Sequence, residues 1–182
     1  DSGMRVPLMV RVPKKWQHLV PGSENRGSKN NKLVSFVDFA PTLLALCGID
    51  APAYMQGHNF LDQKNNREWI YGARDRVDEV FDCSRSVRNN RWLYIRNYHP
   101  FLGWNQPSVF SDLGEIRNEI TNYSLNTRTH LSNEKTHYTS PQRAPVEFYD
   151  CIADPENTRN LALEKLSPTQ KKSLEKAQRA LK

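Results

Sequence analysis

The chain has 182 residues, with 26 Lys and Arg against 20 Asp and Glu, a formal net charge of +6, 37% hydrophobic and 10% aromatic residues. That much apolar material can bury a core, which excludes outright disorder, and the length suits one domain or one and a part. No apolar run approaches the roughly 20 residues of a membrane-spanning helix, which leaves no membrane partner to expect.

The chain opens on Asp1-Ser2-Gly3, without an initiator Met, and passes at once into an apolar stretch. That reads as the interior of a longer protein. Residues 5–12, Arg-Val-Pro-Leu-Met-Val-Arg-Val, predict a short buried strand between Gly3 and Pro13, with Pro7 near its start. Turn formers and charges over 21–32 predict an exposed loop. A helix follows at about 38–47. Asp38 is its expected N-cap, Pro41 sits in the first turn, Phe39, Leu43 and Leu46 keep helical spacing, and Gly48 is the expected C′ glycine. Cys47 on that helix reads as a buried thiol, and 50–57 as an extended connection.

From about 67 the pattern changes to short strands. Trp69-Ile70-Tyr71 is one, and Val146-Glu147-Phe148-Tyr149 is another. Arg85-Ser86-Val87-Arg88 and Arg91-Trp92-Leu93-Tyr94-Ile95-Arg96 flank Asn89-Asn90, a hairpin signal because Asn tolerates positive φ. Trp92 and Tyr94 face one way and Leu93 and Ile95 the other, which predicts a central strand covered on both sides. The polar stretch 98–145 is too long for a structureless loop and predicts a helix within 108–121, with Val109, Leu113 and Ile116 on one face. Ser167-Pro168-Thr169-Gln170 is a capping box with Pro at N1, opening a terminal helix with the stripe Leu174, Ala177 and Leu181.

Chemistry is sparse. Gly-rich phosphate loops, His-Glu-x-x-His, Cys-x-x-Cys and Gly-x-Ser-x-Gly are all missing from the sequence, and neither the five His nor Cys47, Cys83 and Cys151 keep metal-ligand spacing. No catalytic and no metal residue is assigned. One cluster stands out, Arg74-Asp75-Arg76-Val77-Asp78-Glu79, at what reads as a strand-to-loop exit. Guanidinium forks pair with sulfate or carboxylate, and carboxylates accept from sugar hydroxyls. Arg74, Arg76, Asp78 and Glu79 are therefore the candidate substrate-binding residues. A self-paired charge network on a solvated loop is the competing reading. Arginines interleaved with aromatics over 85–98 flank a tight turn and alternate as core residues do, so no nucleic-acid partner is expected.

The order of motifs carries a resemblance. Asp1-Ser2-Gly3-Met4-Arg5-Val6-Pro7-Leu8-Met9-Val10 resembles the segment of sulfatases that reads Gly-Gly-x-Arg-Val-Pro-Leu-Ile-Val. Val34–Ile49 looks like the helix that follows it, and Met55-Gln56-Gly57-His58-Asn59-Phe60 like the family's Met-x-Gly-x-Ser-Leu turn. Glu147-Phe148-Tyr149-Asp150, Asp154-Pro155-Glu156-Asn157 and Asn160-Leu161-Ala162 are similar to the family's closing motifs. Ser2 replaces a Gly, and Asn59-Phe60 replaces Ser-Leu. The 74–79 cluster and the Arg85–Arg88 arm look like the carbohydrate-sulfatase branch that includes heparan N-sulfatase, a glycosaminoglycan enzyme.

The resemblance implies an α/β fold, α+β in its C-terminal part. Residues 1–60 would complete the large sulfatase α/β domain, and 61–182 would form a small antiparallel sheet with a C-terminal helix. It implies a parent enzyme of the alkaline phosphatase superfamily that hydrolyses sulfate esters or sulfamates of carbohydrates, using formylglycine and calcium. The Cys or Ser of the Cys/Ser-x-Pro-x-Arg motif and the calcium ligands match no position in 1–182. They are expected upstream, so the chain alone is expected to be inactive and to close and shape the substrate cleft. A phosphodiesterase or phosphonate hydrolase of the same superfamily and a catalytically inactive binding module are the alternatives. Expected partners are the upstream part of the sulfatase, a sulfated carbohydrate and, left open, a second copy in a homo-oligomer. The resemblance implies a periplasmic or secreted protein, lysosomal if eukaryotic.

Overall fold

The computed structural model describes residues 3–25, 27–77, 79–126 and 138–182, which divide into two compact units, 1–71 and 72–182.

The first unit is mostly irregular. Residues 5–12 form no strand; they run exposed, with Met9 92% accessible, and a 3-10 turn begins at Lys14. A strand is held by a neighbour, and none of the described residues pairs with this segment, so an apolar run is not enough to make one. Helix α1 spans Phe39–Leu46 and ends as predicted. Gly48 takes φ 70°, its N–H donates to Ala45 O, and the Ile49 N–H donates to Leu44 O. That is a Schellman closure, which needs the left-handed residue at C′.

Two expectations fail around α1. Asp38 does not cap it, because a 3-10 turn, Phe36–Asp38, precedes the helix and directs the carboxylate backwards to the Ser35 N–H at 2.9 Å. Cys47 is exposed, not buried, because α1 buries its Pro41 and Thr42 side, while Leu43 and Cys47 face out. Gly57 is needed where it stands: a Cβ there would meet the Val37 carbonyl at 1.9 Å. That close approach brings the His58 N–H to Asp38.

The second unit is built on a four-stranded sheet in the order β1 (Ile70–Val77), β2 (Val80–Arg88), β3 (Trp92–Asn97), β4 (Val146–Asp150). β2 pairs antiparallel with β3 and β3 with β4, with Val87 opposite Tyr94 and Tyr94 opposite Phe148. The hairpin at Asn89 forms without positive φ. Instead the Asn89 N–H donates to the Trp92 carbonyl, and its side-chain oxygen accepts from the Arg91 and Trp92 N–H groups, so an Asn side chain does what a left-handed backbone would have done.

Central strand β3 is buried on both faces, as its alternation predicts. On one face Trp92 stacks on Phe148 at 4.9 Å, beside Val87 and Tyr94. The other face changes character along the strands. Toward the β2–β3 hairpin it is apolar, with Leu93, Ile95, Tyr149 and Cys151. Toward the start of β2 it is polar and equally buried, with Asp82, Ser84, Asn97 and Glu147.

The predicted 108–121 helix is two helices, α2 (Val109–Asp112) and α3 (Glu115–Asn126), and Val109, Leu113 and Ile116 are exposed. The terminal helix α4 (Pro168–Leu181) starts at the predicted capping box: the Gln170 N–H donates to Ser167 Oγ and the Ser167 N–H to Gln170 Oε1. It packs on β2 and β3 and buries Ala177 completely. Asn160 covers the free edge of β4, accepting from the Phe148 N–H and donating to the Val146 carbonyl. Asp154 accepts the Thr158 and Arg159 N–H groups, so these closing-motif residues shape a turn.

Candidate functional site

The charged cluster lies within β1 and its turn, and not on a strand-to-loop exit. β1 runs on to Val77 because β2 begins already at Val80 and pairs with it. As an edge strand it carries charge at low cost. Alternation puts Asp75 opposite to Arg74 and Arg76, and Asp75 meets Arg85 of β2 at 2.7 Å.

The structure sends the four candidates different ways. Arg74 turns inward, its Nε 3.4 Å from Asp82 Oδ2, while its Nη2 donates to Gln106 Oε1. Arg76 is exposed and lies over the Phe81 ring at 4.5 Å. Glu79 accepts from the Val109 N–H at the start of α2 at 3.3 Å. Asp78 lies outside the described residues. Arg76 and Glu79 thus line the rim of this tip, and Arg74 anchors it.

Under the tip is a carboxylate that the sequence did not single out. Asp82 is fully shielded and pairs with Arg143, also fully shielded. It accepts the Cys83 N–H at 2.7 Å and the Gln106 amide at 3.4 Å. Burial pushes the Asp82 pKa up, but the Arg143 hydrogen bond, the Cys83 N–H and the charges of Arg143 and Arg74 outweigh it and hold it below the usual carboxylate value. Arg143 lies over Trp104 at 4.9 Å, and its backbone N–H donates to Pro100 O. Gln106 also donates to the Gly103 carbonyl and accepts Arg117 on its own carbonyl. A Cβ on Gly103 would meet Ser140 O at 2.0 Å, so this crossing of two connections requires glycine. Asp82 and Arg143 stand 61 residues apart, and no spacing rule joins them.

A second buried polar chain runs beside it. Ser84 donates to Asn97, Asn97 donates to Glu147, and the Tyr149 hydroxyl donates to the other Glu147 oxygen at 2.7 Å. Burial, and then the Glu147 charge, pushes the Tyr149 pKa well above the ordinary tyrosine value. The hydroxyl is therefore a fixed donor. Of the four arginines over 85–98, Arg85 pairs with Asp75, Arg91 with Asp150, Arg88 donates to the Asn89 carbonyl, and Arg96 lies exposed over the Tyr98 ring.

Among the described residues no three of His, Cys, Asp and Glu come together as a metal group. The described residues therefore do not fit a calcium ion. The end of this edge strand presents a guanidinium, Arg76, and a carboxylate, Glu79.

Residues 1–139 match the family model described as N-sulphoglucosamine sulphohydrolase, C-terminal. An ulvan-active sulfatase of Formosa agariphila is 35% identical over 164 residues, covering 89% of this chain and 26% of that protein. A second ulvan-active sulfatase of the same organism is 27% identical over 176 residues, covering 89% of this chain and 30% of that one. The chain therefore spans between a quarter and a third of the curated relatives it matches. Among solved structures, a 2-O GAG sulfatase is similar at a TM-score of 0.47 and 22% identity, over 79% of this chain and 22% of that one.

Proposed function

The chain belongs to the sulfatase family, as a C-terminal part of its carbohydrate-sulfatase branch, and on that premise we propose that it supplies the sugar-selecting wall of the substrate cleft. The full-length enzyme hydrolyses sulfate esters or sulfamates of a carbohydrate. Its nucleophile, a formylglycine, and its calcium ligands are assigned to the portion of the relatives' length that this chain does not span. That portion is also this chain's expected partner.

The observation that carries the reading is the tip of β1. Arg76 lies exposed over Phe81, and Glu79, three residues on, accepts from the Val109 N–H. A sulfated sugar offers anionic groups to a guanidinium and hydroxyls to a carboxylate. The names of two relatives, both ulvan-active sulfatases, support a sulfated substrate for that chemistry.

The test is a comparison of two substrates. In the full-length enzyme, Arg76→Ala is expected to lower kcat/KM for the sulfated oligosaccharide on the order of tenfold. A small aryl sulfate, which lacks the sugar contacts, is expected to be turned over nearly as before. Equal losses on both substrates would assign Arg76 to structure, and no loss on either would leave the tip a solvated charge network. Residues 1–182 by themselves are expected to be inactive on an aryl sulfate with added calcium. Turnover above background would overturn the assignment of the nucleophile.

A further inference from the structure

We infer that Asp82 is a positioning residue for the sugar-binding tip, acting through Arg74 and Gln106. The inference rests on the reading of that tip as part of the cleft wall.

Three stretches of chain converge on this one carboxylate. Arg74 reaches it from β1, Gln106 from the connection after β3, and Arg143 from the approach to β4. Gln106 ties the first two directly, since its amide donates to Asp82 while its carbonyl oxygen accepts from Arg74. The tip hangs from this junction at two points. Arg76 is two residues along β1 from Arg74, and Phe81, whose ring carries the Arg76 guanidinium, is the residue before Asp82. If Asp82 lets go of Arg74, the edge strand loses an inward ion pair, and the Arg76–Phe81 pair loses a support.

The charge balance makes the carboxylate hard to replace. One carboxylate faces two guanidiniums, and among the described residues the Arg74 Nε and the Arg143 Nε and Nη1 are shielded without a hydrogen-bond acceptor, so Arg74 is held to Asp82 by charge. Asp82→Asn keeps the shape but leaves Arg143 uncompensated in a shielded place and Arg74 without its ion pair. Arg74, 28% exposed, can then turn to solvent, whereas Arg143 cannot.

The experiment uses the full-length enzyme and three variants: Asp82→Asn, Asp82→Asn with Arg143→Met, and Arg76→Ala. Asp82→Asn is expected to raise KM for the sulfated oligosaccharide on the order of tenfold, while kcat on an aryl sulfate stays within about twofold. The double variant removes both halves of the shielded pair, so its melting temperature is expected to recover. Its oligosaccharide KM should stay high, because Arg74 still lacks its anchor. If KM recovers together with the melting temperature, Asp82 is merely structural and the inference falls. An unchanged KM in Asp82→Asn also overturns it. Should the single variant fail to fold, the double variant carries the comparison, and a double variant that cannot fold overturns the inference by making Asp82 indispensable to the fold. Arg76→Ala reports separately on the tip: if it raises the oligosaccharide KM while Asp82→Asn does not, the cleft reading stands and only the positioning role is lost.

Discussion

Residues 1–71 and 72–182 each bury an aspartate against an arginine, yet the two aspartates serve different ends. Asp38 accepts from the Ser35 and His58 N–H groups and pairs with Arg67, so one anion meets one cation and the charges balance. It ties the start of α1 to the 57–58 turn and to the chain near 67. Around it little apolar surface is covered: of the buried apolar side chains described, only Val20, Pro41 and Trp69 fall in 1–71. Asp82 sits instead on the polar end of a sheet whose apolar core is already made by Val87, Trp92, Leu93, Tyr94, Phe148 and Tyr149. It meets two arginines and is linked to an exposed edge. A carboxylate that closes its own charge balance is a structural knot. One that carries an excess of cations beside a surface strand is suited to holding that strand in place.

Two substitutions of comparable size probe this contrast most strongly. Asp38→Ala leaves Arg67 without its buried partner and is expected to cost about 3–5 kcal/mol. Trp92→Ala removes a ring stacked on Phe148 and is expected to cost about 3–5 kcal/mol by opening the sheet's core. Calorimetry on the full-length enzyme reads both; an unchanged melting temperature for either would move the weight of that unit elsewhere.

Acid separates the same two positions, with Asp38→Asn in place of Asp38→Ala. Burial raises the Asp38 pKa, but Arg67 and the backbone N–H groups of Ser35 and His58 hold it, on balance, below its usual 3.8. A depressed pKa in the folded state means the stabilisation is complete above the unfolded value and fades as pH falls toward the folded one. The stability gap between the natural protein and Asp38→Asn should therefore narrow below about pH 4, whereas the gap to Trp92→Ala, which involves no titrating group, should stay level. A gap for Asp38→Asn that stays constant down to about pH 3 would mean that its carboxylate contributes no charge-dependent stability.

The smallest expected effect lies at the end of the chain. Ser167→Ala removes the cap oxygen that accepts the Gln170 N–H and should cost about 1 kcal/mol, measured by denaturant titration. Ser167→Asp should restore it, because the role needs only an acceptor at that place.

Much of the second unit was legible in the sequence. Alternation at Trp92–Ile95 predicted a strand buried on both faces, and Ser167-Pro168-Thr169-Gln170 predicted where α4 starts. Gly48 marked the end of α1 for the same reason: caps and alternation are local, and a few adjacent residues settle them. At the candidate site, the Arg and acidic cluster of 74–79 could be read as a group, but not the division of labour within it. Asp38 reads locally as an N-cap, and only the turn before it and Arg67, 29 residues on, give it another task. Residues 5–12 carry the composition of a strand, but a strand is a pairing, and composition does not supply a neighbour.

By itself, then, the sequence determined short-range features: the end of α1, the start of α4, the β2–β3 hairpin and the two-sided burial of β3. Only the tertiary structure decided that Arg74 turns in while Arg76 stays out, and that Asp82 and Arg143 share a shielded pair. The physical reason is that a buried charge takes whichever partner the sheet register and the crossing connections bring within reach, and separation along the chain does not encode that distance.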